Sequence, residues 1–126
     1  MAWSGYAFEQ LCRIHVRQIK VKLGIPGVST NTASWRSKGS NPGAQIDLLI
    51  SRRDGVINLC EIKYTKHPYE ISRDYAEQME RKKEVFAMET GARSALHLTM
   101  ITTFGIAKKG YYSIVQSEIT LDDLFG

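Results

Sequence analysis

QIDLLIS (residues 45–51) and VINLCEIKY (residues 56–64) flank Arg53-Asp54-Gly55, and this stretch decides the fold. Both are short apolar runs of strand length, and the Gly-containing segment between them reads as a tight hairpin. Side chains alternate faces along a strand, so Glu61 and Lys63 share one face, while Cys60, Ile62 and Tyr64 share the other. A carboxylate and an ammonium inside a central strand are costly to bury unless paired, hydrogen-bonded or metal-bound. Asp47 interrupts the first run in the same way. Whether Asp47 meets Glu61 depends on the turn. A two-residue Asp54-Gly55 loop pairs Arg53 with Val56 and puts Asp47 opposite Ile62. A three-residue loop with Gly55 left-handed pairs Arg52 with Val56 and puts Asp47 opposite Glu61. A bulge reaches the same parity by another route.

Outward from the hairpin, Phe8, Leu11, Cys12, His15 and Ile19 follow one helical face, with Ser4 as N-cap and Gly24 and Pro26 as stop signals. Val28 to Trp35 reads as a first strand, and residues 36–43 (RSKGSNPG) as a loop. Ser72 to Thr90 reads as a second helix with Tyr75, Met79, Lys82 and Phe86 on one stripe, Lys82 snorkelling at its edge. Gly91 closes it. Ala95 to Thr103 is a buried strand. A turn at Lys109-Gly110 leads to a last strand, Tyr111 to Ile119, and Thr120 caps a short helical turn, LDDLF. The strands flanking the second helix are expected to run parallel and the hairpin strands antiparallel, giving a mixed sheet.

The 126 residues suit one domain, spanning 1–126. No apolar run approaches the roughly 18 residues that cross a bilayer, and residues 1–11 lack the pattern of a secretory signal. Cys12 and Cys60 read as buried free thiols of a cytoplasmic protein, and His15, His67 and His97 match no zinc spacing. The net charge of +4 is compatible with a polyanionic partner without requiring one.

Two carboxylates a strand apart suit Mg²⁺ or Mn²⁺, hard cations that take oxygen ligands and assist attack on a phosphate. Lys63 points into the same space, where it can orient water or stabilise developing charge. A solvated hairpin face with weak ion pairs is the plain alternative.

The element order and these residues resemble the PD-(D/E)XK nuclease superfamily. That resemblance implies an α/β fold with a restriction-endonuclease-like α-β-β-β-α-β core and a mixed central sheet. Its Asp on the second core strand matches Asp47, fourteen residues before Glu61, and its Glu-x-Lys matches Glu61-Ile62-Lys63. Ile46 stands where the family has Pro. Gly5-Tyr6-Ala7-Phe8-Glu9 resembles the opening of the family's first helix, whose Glu approaches the metal, which implies Glu9 as a third ligand. A polar residue on the second helix often faces the site, a role Gln78 matches. Gln45 shares a face with Asp47 and is placed to contact substrate. Arg36, Lys38 and Lys66 flank the site in sequence and are the candidates for phosphate contact.

More narrowly, GAQIDLLI (43–50), CEIKY (60–64) and the ending LTMITTFG…YY…LDDLF are similar to the C-terminal region of certain bacterial AAA-type ATPases. No G-x-x-x-x-G-K-[ST] motif occurs in the chain, so an ATPase module would lie elsewhere in a longer protein. The resemblance implies a Mg²⁺- or Mn²⁺-dependent DNA nuclease domain with no membrane partner. A homodimer is compatible with it, but the sequence does not fix the oligomeric state. The competing expectation is a non-cleaving module that binds nucleic acid or a partner protein.

Overall fold

The computed structural model describes residues 2–126, with side chains from Gly5 onward. Its centre is a five-stranded mixed sheet in the order β1-β2-β3-β5-β7, formed by Thr30–Arg36, Gln45–Arg52, Val56–Lys63, Ala95–Thr102 and Ser117–Thr120. β1, β2 and β3 pair antiparallel, whereas β3, β5 and β7 pair parallel. The helix α3 (Arg73–Thr90) packs on one face through Tyr75, Ala76, Met79 and Phe86 against Leu49, Leu59 and Met100. The other face is covered by α1 (Ala2–Ile14), α2 (Val16–Lys22) and α4 (Leu121–Phe125), where Phe8, Cys12, Ile19 and Leu124 meet Leu48, Ile50 and Cys60.

The hairpin adopts the three-residue form. Leu48 pairs with Cys60 and Ser51 with Ile57, and Gly55 has φ +89°, a backbone conformation that glycine adopts without strain. The α3 boundaries follow from its caps. Ser72 Oγ accepts from Tyr75 N at 3.1 Å, and Gly91 is left-handed at φ +64°. Thr120 and Asp123 form a capping box on α4.

Five expectations need correction. The first helix is broken in two at His15. His15 N is shared between Leu11 O and Cys12 O, and the His15 ring also lies 2.8 Å from Leu11 O, so the side chain competes with the helical ladder. The helix also begins at Ala2, so Ser4 lies within it; the Ser4 side chain falls outside those described. The segment expected as a turn at Lys109-Gly110 ends a strand instead. That strand is β6 (Ile106–Gly110), which pairs parallel with the short β4 (Tyr69–Ile71). The expected strand from Tyr111 to Ile119 is a 3₁₀ turn at Tyr112–Ile114 followed by β7. Finally, Lys82 does not snorkel to solvent but turns inward to Glu61.

Candidate functional site

Asp47 is positioned by an irregularity in β2. Ala33 pairs with Leu49 and Trp35 with Ile46, so Ser34 alone faces two residues, Asp47 and Leu48. This is a β-bulge, a device that re-aims a side chain. Its effect is visible in the packing: Ile46 and Leu49, an odd number of residues apart, enter the same core cluster. The paired ladder between β2 and β3 ends at Leu48 and Cys60. Beyond it, Ile62 N donates to Asp47 Oδ2 at 3.0 Å, so the Asp47 carboxylate stands where a main-chain acceptor would continue the ladder. The register carried one residue further places Asp47 opposite Glu61.

Glu61 is buried, at 5% exposure. Its Oε1 accepts from Lys82 Nζ at 2.8 Å. Its Oε2 is buried without a hydrogen-bond partner, alone in this among the described side chains. Burial holds the Glu61 carboxyl above its ordinary pKa. The Lys82 hydrogen bond opposes that shift, and the nearby Asp47 charge reinforces it. An unpaired buried carboxylate oxygen costs on the order of 1–3 kcal/mol, so the chain tolerates a real penalty here.

Lys63 follows Glu61 on the same face. Its ammonium lies 5.2 Å from the Tyr75 ring centroid and 6.0 Å from that of Tyr69, which restrains it beside Glu61, with no ion pair among the described residues. Glu9 lies at the edge of this group and is already engaged, since Arg13 Nη2 donates to Glu9 Oε1 at 2.8 Å and to Asp47 O at 2.8 Å. Arg13 ties α1 to the bulge. The i, i+4 spacing of Glu9 and Arg13 was the sequence signal for this pairing.

Gln45 and Gln78 line a cleft of about 330 Å³ together with Gly43, Arg81 and Lys82. Gln45 also accepts from Arg36 at 3.1 Å. The loop that carries Lys38 is fastened to α3. Glu89 accepts from the backbone N–H groups of Lys38, Gly39 and Ser40, and Arg81 donates to Pro42 O. Arg36, Lys38 and Lys66 are exposed. The structure thus brings Asp47, Glu61, Lys63 and Lys82 together, places Gln45 and Gln78 beside them, and leaves Glu9 paired to Arg13.

The donor set suits a hard cation: two carboxylates across adjacent strands, one with an unused buried oxygen. Among the described residues no group of three or more His, Cys, Asp or Glu is gathered for a metal. The two thiols are buried, and burial disfavours the thiolate form that binds a metal. Cys12 is buried with its pKa pushed up to about 12, and Cys60 is raised by burial as well. No described helix is long and apolar enough to cross a membrane.

No family model matches the chain, and no curated protein matches it. Among solved structures it is similar to the crystal structure of a protein of unknown function, AF1548, at 13% identity and a TM-score of 0.56. The likeness covers 93% of this chain but 64% of that one, so this chain spans less than two thirds of its neighbour's length. At this identity the likeness bears on the fold alone, a mixed α/β sheet with helices on both faces.

Proposed function

We propose that this chain is a metal-dependent phosphodiesterase domain that cuts DNA, built on a restriction-endonuclease-like core and carried by a larger ATPase. One observation carries the reading: the buried, unpartnered Glu61 Oε2 beside the Asp47 carboxylate. Buried polar atoms are nearly always satisfied, and an exception calls for a reason such as a catalytic role or a bound ion. Asp47 and Glu61 would hold Mg²⁺ or Mn²⁺. A bound ion would supply Lewis acidity and neutralise charge on a phosphate.

The remaining roles belong to the chain itself. Lys63, held against Tyr75 and free of carboxylate pairing among the described residues, is available to orient water and to stabilise negative charge developing on phosphorus-bound oxygens. Gln45 and Gln78 present amide groups to substrate in the adjoining cleft. Arg36, Lys38 and Lys66 meet the backbone phosphates, which fixes position rather than sequence. Glu9 acts through Arg13 in this arrangement, steadying the bulge that aims Asp47.

A second reading, a binding module that does not cut, is favoured by one contact: Lys82 already supplies a positive charge to Glu61 at 2.8 Å. Plasmid and oligonucleotide cleavage with Mg²⁺, Mn²⁺ or EDTA separates the two. Cleavage that needs the ion and is lost in Asp47→Ala supports the nuclease. Salt-sensitive DNA binding without ion-dependent cleavage supports the module.

A further inference from the structure

We infer that Lys82 is a built-in counter-cation that a divalent ion must displace from Glu61, so that metal loading frees an ammonium into the substrate cleft. The inference rests on the metal-site reading above and concerns how that site is switched. Lys82 Nζ is 2.8 Å from Glu61 Oε1, and the pair is largely shielded, with side-chain exposures of 25% and 7%. Neither partner has a second ion pair among the described residues.

An ion held by Glu61 and Asp47 would share this small, poorly hydrated space with the ammonium. Two positive centres on one carboxylate repel strongly where water cannot screen them. One of them must leave, and only Lys82 has a flexible four-carbon stem with which to do so. The stem already borders the cleft of about 330 Å³ lined by Gln45, Gln78 and Arg81. Rotation about its own bonds would move the ammonium from Glu61 into that cleft with no change in the backbone. There, beside Arg81, it adds to a positive surface suited to a phosphate of the nucleic-acid backbone. With no ion bound, the same lysine offsets part of the repulsion between Glu61 and Asp47.

Competitive amine labelling of the wild-type chain, read by mass spectrometry, tests the exchange. The chain is labelled with and without Mn²⁺, and calorimetry on the same sample establishes whether the ion binds. Lys20 on α2, on the far side of the sheet, is the internal reference. The exchange predicts that Lys82 labelling rises severalfold on ion binding while Lys20 labelling is unchanged. Calorimetric binding with no rise at Lys82 overturns the exchange and leaves the metal site standing. No binding overturns the metal site, and the exchange with it.

Discussion

β3 buries two polar side chains three residues apart, on opposite faces of the sheet, and the structure treats them differently. Asn58, at 0% exposure, is engaged at both ends of its amide: Oδ1 accepts from Arg52 at 3.1 Å and Nδ2 donates to Thr99 Oγ1 at 3.0 Å. Glu61, at 5%, has one oxygen on Lys82 and the other on nothing. A polar group buried for architecture is satisfied within the chain. One buried beside a second carboxylate and left half satisfied calls for another explanation, such as an ion. The contrast locates the site more sharply than burial or charge does by itself.

The comparison is tested first where the expected effect is largest. Glu61→Ala and Asp47→Ala each remove a carboxylate donor and should abolish ion-dependent cleavage. Lys63→Ala leaves both donors and should slow it by about 10²–10³-fold, the loss seen when one electrostatic stabiliser is removed. Cleavage assays with and without EDTA provide the measurement.

Stability should then reverse the ranking of the two residues. Asn58→Ala removes the two hydrogen bonds to Arg52 and Thr99 and leaves a gap under the sheet, and should cost about 2 kcal/mol. Glu61→Gln keeps an acceptor for Lys82 and removes a desolvated charge facing Asp47, while Lys82, a quarter exposed, can turn to solvent, so the variant should stay within about 1 kcal/mol of wild type. Urea unfolding of both variants decides it. A Glu61→Gln variant less stable than Asn58→Ala would break the contrast.

The pH dependence follows from the same residue. In the folded chain the Glu61 carboxyl is raised above its ordinary value of 4.5, chiefly by burial. The native state therefore holds that proton more tightly than the unfolded state. Its contribution to stability is fully present below 4.5 and is lost as pH rises through the raised value. Stability measured from pH 4 upward should move in favour of Glu61→Gln relative to wild type. A difference that stays flat with pH would contradict the assigned burial effect.

The smallest effect is expected on the rim. Arg36→Ala should lower the slope of log affinity for DNA against log salt by about one, as loss of one phosphate contact does. Binding titrations at several salt concentrations measure this slope.

Much of this was legible in the sequence because local chemistry decided it. The three-residue loop ending in Gly55 was one of the hairpin forms the sequence allowed, and it sets the parity that brings Asp47 opposite Glu61. Ser72 and Gly91 bounded α3, and Thr120 capped α4. What escaped depended on partners distant in the chain. The bulge at Asp47 and Leu48 is defined against Ser34, and nothing in QIDLLIS announces it. β6 carries Lys108, Lys109 and Gly110, turn-like residues that become a strand by pairing with β4. Lys82 looked like an edge residue of an amphipathic stripe. Its inward turn depends on a carboxylate 21 residues earlier whose burial the sequence did not print.

Calorimetric titration of Mn²⁺ or Mg²⁺ into the wild-type chain, Glu61→Gln, Asp47→Ala and Lys63→Ala tests the central claim most directly. A divalent ion between Asp47 and Glu61 predicts one ion per wild-type chain, loss of that binding in Glu61→Gln and Asp47→Ala, and its survival in Lys63→Ala. Wild-type chain that binds no ion, or Glu61→Gln that binds it as tightly as wild type, would contradict the claim.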